Sequence, residues 1–167
     1  DGLDFGAELQ EAYRKWLDSG EVAEDGEEIL GWGMAACNWE ALKMNCGARV
    51  SLRADGTAYA SCATQDIGTG TYTIVAQAVS SITGIALDKI EVELGDSSYP
   101  SGPVSGGSWA TATTLPAIAE ATRSAIEALK SYATGDGGAF AGTKADDLSF
   151  DDGKLSDSNG KSVAYTD

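Results

Sequence analysis

Two short stretches place glycine and hydroxyl side chains ahead of a helix-like segment: QDIGTGTYT, from Gln65 to Thr73, and SGPVSGGS, which closes on Ser105, Gly106, Gly107 and Ser108. A glycine turn that opens a helix presents backbone N–H groups beside the positive end of the helix dipole, which suits phosphate or another anion. Gly68 and Gly70 let a ligand approach the backbone, and Thr69, Thr71 and Thr73 supply hydroxyl donors. Two such loops can clamp one extended anionic ligand, whereas either loop alone serves equally well as a plain turn. Neither follows the G-x-x-x-x-G-K-[ST] pattern, and Gly68-Thr69-Gly70 does not continue to the third glycine of the dinucleotide fingerprint. ATPase and NAD-binding readings fall, and backbone-mediated binding of a phosphate or pyrophosphate ligand remains.

Other chemistries are narrowed by what the chain lacks. It contains no histidine, which removes Ser-His-Asp and Cys-His nucleophile systems and His-rich zinc sites from these 167 residues. Cys37, Cys46 and Cys62 form an odd set without C-x-x-C spacing, so buried free thiols are expected and no iron–sulfur ligation pattern is present. The net charge of −15 repels nucleic-acid backbones and anionic lipid. No run reaches the roughly eighteen apolar residues of a membrane span. With 43% hydrophobic and 22% charged residues the chain can build one domain with a core. It opens at Asp1 and closes on VAYTD, where Val163 and Tyr165 begin a strand-like alternation, so a fragment of a longer polypeptide is expected.

Both loops need elements to hold them. Leu3 to Asp18 has helix-forming composition with Leu9, Tyr13, Trp16 and Leu17 on one face, followed by an acidic loop from Glu21 to Glu28. GWGMAACNW, residues 31–39, reads as a buried strand. In ARVSLRADGTAYASCAT, Ala48, Val50 and Leu52 alternate with Arg49, Ser51 and Arg53, and Asp55-Gly56 turns the hairpin. The returning strand runs into QDIGTGTYT, after which Val75, Val79 and Ile82 recur at helical spacing up to Gly84. Ile90, Val92 and Leu94 then alternate with glutamates, and the second loop leads to a helix faced by Leu115, Ile118, Ala119, Ala125, Ile126 and Leu129. Pro116 sits either in the first turn of that helix or within a helix begun nearer Ser108. A last hairpin spans Asp147 to Ser156. The predicted class is α+β, a two-layer mixed sheet with helices on one face in the order β-β-α-β-α-β, with residues 1–30 as an N-terminal helix and acidic loop and 31–167 as the main domain.

The runs GWGMA, ARVSLRADGTAYASCATQDIGTGTYTIVAQ and ALDKIEVELGDSSYPSGPVSGGSWAT, in that order, resemble the molybdenum-cofactor-binding subunit of the xanthine dehydrogenase and aldehyde oxidoreductase family. The similarity spans roughly Gly31 to Ala133. It implies a molybdopterin-binding fold in which Gly68, Thr69, Gly70 and Thr71 contact the pterin dinucleotide, and Ser105, Gly106, Gly107 and Ser108 line the cofactor beside its metal end. No residue of this chain is implied as a direct metal ligand. Many members carry Gly-Gln-Gly where this chain has Gly68-Thr69-Gly70, which removes one side-chain contact. Gln77 also matches a recurrent family position.

The resemblance further implies oxidoreductase chemistry, hydroxylation of aldehydes or electron-poor N-heteroaromatic rings with oxygen from water. The implied cofactor is molybdopterin with molybdenum, in the cytosine dinucleotide form expected of bacteria. The implied partners are iron–sulfur and FAD subunits or domains, and the implied compartment is the cytoplasm, with the periplasm as the alternative. The family's base is a glutamate in a Gly-Glu motif near the end of the full subunit. Gly20-Glu21 and Gly26-Glu27 precede the glycine loops, so neither inherits that role and no catalytic residue is expected in this chain. Two other readings stand beside this one: an acidic interaction domain whose loops only turn the chain, and a phosphate-ligand-binding module without redox chemistry.

Overall fold

The structure, a computed structural model, describes residues 35–40 and 42–167 together with scattered positions between 7 and 29. The chain divides into two compact units, Asp1–Trp39 and Glu40–Asp167. In the first, positions 7, 10–12, 14, 15 and 18 are helical, and Lys15 pairs with Glu11 at 3.0 Å. Leu9, Tyr13, Trp16 and Leu17, the expected apolar face of that helix, lie outside the described residues. Strands β1 (Glu24–Asp25) and β2 (Glu28–Ile29) form a short antiparallel ribbon within the expected acidic loop. The buried strand expected over 31–39 is not borne out where it is described: residues 35–40 are exposed and not strand.

The second unit begins with the expected hairpin. Strands β3 (Arg49–Leu52) and β4 (Ala58–Cys62) pair antiparallel, with Val50 opposite Ala60. Asp55 fixes the turn by accepting from the Thr57 backbone N–H at 3.0 Å and its hydroxyl at 2.6 Å. Helix α1 (Thr71–Thr83) then carries the chain to β5 (Ile90–Leu94), which pairs parallel with β4, as a strand–helix–strand crossover allows. The sheet is therefore mixed, in the order β3-β4-β5.

Packing follows from the alternation. The small inward residues Ala58 and Ala60 of β4 let Val75 and Val79 of α1 and Ile118 of α2 (Trp109–Thr134) approach the sheet, and all five are fully buried. Val50, Leu52, Ile90 and Val92 complete this core from the flanking strands. Each fully buried aliphatic side chain contributes roughly 1.5–3 kcal/mol relative to exposure. The opposite face is polar: Arg53 bonds Glu91 at 2.7 Å and lies over the Tyr59 ring, while Tyr59 donates to Glu93 at 2.8 Å.

Helix α2 starts at Trp109, so Pro116 lies in its interior, where its missing N–H leaves the Ala112 carbonyl without the usual partner. The C-terminal half of α2 covers a second core, in which Ala133, Phe140, Leu148 and Leu155 are buried and Leu129 and Val163 pack beside them. Strands β6 (Ser149–Asp151), β7 (Lys154–Ser156) and β8 (Ser162–Ala164) form their own antiparallel sheet and do not extend the mixed one.

Gly84 joins the two cores. It ends α1 at φ 72° with its N–H on the Ser80 carbonyl, and a Cβ there would stand 2.5 Å from Asp152 Cα. Gly84→Ala forces both a left-handed alanine and a backbone clash, and is expected to cost roughly 2–4 kcal/mol in urea unfolding. A loss below about 0.5 kcal/mol would mean that the α1 terminus and the β6–β7 turn are not held in this contact.

Candidate functional site

The two glycine loops are brought together by a ladder of bonds between the end of β4 and the chain leading to α2. Ala63 N–H donates to the Pro100 carbonyl at 2.8 Å, and Thr64 Oγ1 donates to the Pro103 carbonyl at 3.1 Å. Gln65 completes the ladder: its Oε1 accepts from Ser105 N–H at 3.1 Å and its carbonyl accepts a short bond from Ser105 Oγ. Gly47 N–H holds the other side of the incoming chain through the Ser101 carbonyl at 2.7 Å. Residues 63–65 and 100–105 thus run side by side, and the first loop departs from one strand of this pair as the second departs from the other.

Asp66 decides how the first loop presents itself. Its Oδ1 accepts from the backbone N–H groups of Gly68 at 2.8 Å, Thr69 at 3.0 Å and Gly70 at 3.3 Å, and its Oδ2 from Tyr72 N–H at 3.3 Å. The amides expected to be open to an anion are therefore engaged within the chain, and a carboxylate already sits at the positive end of α1. Sequence reasoning passes over this residue, since it stands five positions ahead of Thr71 and the N-cap itself is Gly70. These donors, the Gly68 N–H foremost, hold the Asp66 carboxyl below its ordinary value of 3.8.

What stays exposed is bare backbone and hydroxyl. A Cβ added at Gly68, Gly70 or Gly106 would meet nothing within 4 Å, so each faces open space. Thr69 and Thr71 place their Oγ1 atoms 3.3 Å apart at the start of α1, with Thr71 buried. Thr73 and Gln77 are exposed on α1. In the second loop Ser108 adopts φ 60° as the residue before α2, and Trp109 folds its indole beneath Gly107. The buried Trp109 Nε1 has no hydrogen-bond partner among the described residues. Ile67 and Val104, 68% and 59% exposed, flank the two loops with apolar surface.

Two shallow depressions lie elsewhere. One, of about 390 Å³, borders Tyr72, Glu93, Asp96 and Tyr99, and the other, of about 460 Å³, borders Arg49, Pro100 and Ala121. In the first, Glu93 accepts from Tyr99 Oη as well as Tyr59 Oη, which lowers the glutamate's pKa and raises that of Tyr99. Both bonds fall on Glu93 Oε2, and they brace the 96–99 turn. Apart from Tyr72 in the first turn of α1, the residues of the two loops line neither depression, and we place the candidate site on the loops because the bare glycines and the orphaned indole N–H occur there. No group of three metal-ligating side chains occurs among the described residues.

A family model described as "Molybdopterin cofactor-binding domain" matches residues 8–167. The aldehyde oxidoreductase molybdenum-binding subunit PaoC of Escherichia coli K12 is 42% identical over 94 residues, 56% of this chain and 13% of that protein, and its counterpart in strain O157:H7 matches equally. The chain thus spans about one eighth of the length of the curated relatives it matches. Among solved structures, reconstituted CO dehydrogenase from Oligotropha carboxidovorans aligns over 71% of this chain and 15% of its own at TM-score 0.61 and 26% identity. Quinoline 2-oxidoreductase from Pseudomonas putida 86 shares the fold at TM-score 0.61, 18% identity and the same coverage of both chains.

The Asp66 cap gives a pH signature. Its folded-state pKa is depressed, so its stabilisation is complete above about pH 4, the unfolded value, and is lost as pH falls through the lower folded value. Asp66→Ala is expected to lower the thermal midpoint near neutrality, with the gap to the parent chain closing in acid. A gap that persists unchanged to about pH 2 would show that the residue acts by packing and not as a charged cap.

Proposed function

We propose, since this chain belongs to the molybdopterin cofactor-binding domain family, that its two glycine loops hold one molybdopterin cofactor in an oxidoreductase of molybdenum-hydroxylase type. The observation that carries the reading is the ladder that fixes Gln65 to Ser105 and so ties a loop with open space at Gly68 and Gly70 to one with open space at Gly106. The residues fit such a group by their donor chemistry: threonine and serine hydroxyls, an unpartnered indole N–H, and glycines that leave room for a flat ligand.

Asp66 refines which part of the ligand each loop takes. A carboxylate at the α1 terminus repels a second anion, so the first loop takes an uncharged part of the cofactor, the pterin ring system, through Thr69, Gly70 and Thr71. Ser105, Gly106, Gly107 and Ser108 border the cofactor towards its metal end. This division disfavours a simple phosphate-binding module, which would need the amides that Asp66 occupies. The cofactor supplies the redox chemistry when bound, and the chain supplies position and shielding from water. The cytosine dinucleotide form, an aldehyde or N-heteroaromatic substrate, iron–sulfur and FAD partners and a cytoplasmic location complete the proposal. The relative named as an aldehyde oxidoreductase subunit supports the substrate class. No helix among the described residues is long and apolar enough to cross a membrane. The base is assigned to another part of the enzyme, since the Gly-Glu pairs of this chain, Gly20-Glu21 and Gly26-Glu27, precede the glycine loops.

Gly106 provides the test, because a side chain there enters open space without a left-handed backbone. In the full-length protein, Gly106→Leu is expected to lower molybdenum and acid-released CMP per chain by about tenfold or more, a loss of at least about 1.4 kcal/mol in binding, with an unchanged melting temperature. Undiminished occupancy in the variant overturns the paired loops as the binding site. Absence of molybdenum and CMP from the parent protein, in a host that makes the cofactor, favours the acidic interaction domain instead.

A further inference from the structure

The thiols of Cys46 and Cys62 lie 3.7 Å apart, Sγ to Sγ, although sixteen positions separate them in the chain. Cys62 closes β4 and is fully buried, whereas Cys46, on the segment entering β3, is half-buried, so a solvent-borne reagent reaches the pair through Cys46. A disulfide needs about 2.05 Å between sulfurs, roughly 1.6 Å less than this separation, and rotation about the Cα–Cβ bonds is the motion that brings two thiols together.

The surroundings give this pair a consequence. A Cβ on Gly102 would stand 2.7 Å from Cys62 Sγ and 2.5 Å from Thr64 N, so the chain carrying the second loop is pressed directly against that sulfur. The neighbour of Cys46 is Gly47, whose N–H holds Ser101 on the same incoming chain. Both sulfurs therefore sit at the root of the ladder from which the two glycine loops depart.

We propose that Cys46 and Cys62 form a reversible disulfide that locks the root of the paired loops. With a low-molecular-weight disulfide as oxidant, the Cys46 thiolate attacks one sulfur, the oxidant's S–S bond breaks, and the leaving thiolate takes up the proton released from Cys46. The Cys62 thiolate then attacks the Cys46 sulfur, breaks the mixed disulfide and releases the second small thiol, which takes up the Cys62 proton. Two cysteine thiols are oxidised to one disulfide and one small disulfide is reduced to two thiols. Burial, with the Cys62 sulfur close by, pushes the Cys46 thiol up to about 12, which keeps it protonated near neutrality and makes exchange slow in both directions. Cys37 is exposed and serves as an internal reference for an accessible thiol.

The test equilibrates the full chain with glutathione redox buffers, alkylates free thiols and maps cross-linked peptides by mass spectrometry. The expected product joins Cys46 to Cys62, is lighter by two hydrogens and reverts with dithiothreitol. In the same sample, hydrogen exchange over residues 63–65 and 100–105 is expected to slow by about tenfold or more against the reduced chain, as a cross-link closing a short loop restricts local opening. Cys46→Ala, a small change at a half-buried position, should abolish the cross-link and the added protection together. Full alkylation of both thiols at every redox ratio, a cross-link to Cys37 in place of this one, or unchanged exchange in the cross-linked chain each overturns the proposal.

Discussion

The arrangement depends on the consecutive pair Gln65 and Asp66. Gln65 bonds sideways to Ser105 with both its side chain and its carbonyl, which ties the first glycine loop to the second. Asp66 bonds forward to four backbone N–H groups, which sets the shape of the first loop and starts α1. Without the first residue the tie between the loops falls back on the Ala63–Pro100 and Thr64–Pro103 bonds, and without the second the first loop loses the carboxylate that gathers four of its N–H groups. Glycine supplies conformational freedom at 68 and 70, and the acidic cap removes it again, so a flexible sequence becomes a defined surface.

This pair is positioned by the layer beneath it. Alanines at 58 and 60 bring α1 and α2 down onto the mixed sheet, and the parallel pairing of β4 with β5 sends both loops out from the same end of their strands. Ligand sites at the carboxyl ends of parallel strands, ahead of helices, are a general outcome of this geometry. The polar face of the sheet acts as a brace, because Glu93, held by Tyr59 and Tyr99, fixes the turn through which the chain passes on its way to the second loop. Membership of the molybdopterin cofactor-binding domain family accords with a scaffold that places hydroxyls and bare backbone on two tied loops and leaves the redox step to the group it carries.

Much of this is legible in the residues. The Asp55-Gly56 hairpin, the helix ending at Gly84 and the strand from Ile90 to Leu94 each have a period and a terminator of one kind, and all three appear as read. Pro116 is ambiguous in sequence because proline is compatible with a first turn and tolerable further in, and only the tertiary packing of Ile118 and Ile126 shows that the helix runs through it. The segment 31–39 resembles a strand in sequence because apolar composition alone does not separate a strand from an exposed connection. The loop amides mislead for a related reason. Periodicity and glycine count locate a helix start, but whether its donors are open depends on one side chain four residues upstream of Gly70 folding back. The approach of Cys46 to Cys62 depends on how the segment entering β3 lies beside the end of β4 and is beyond any spacing rule.

The central claim is that Gln65 and Ser105 act as one strap that makes two loops a single site. A double-mutant cycle on folding stability with Gln65→Ala and Ser105→Ala measures this directly. Each change removes one of the two bonds, and the bonds share a geometry, so the account predicts a coupling free energy of about 0.5–1 kcal/mol between the two positions. Strictly additive effects would contradict it and would show that the two bonds form independently of each other.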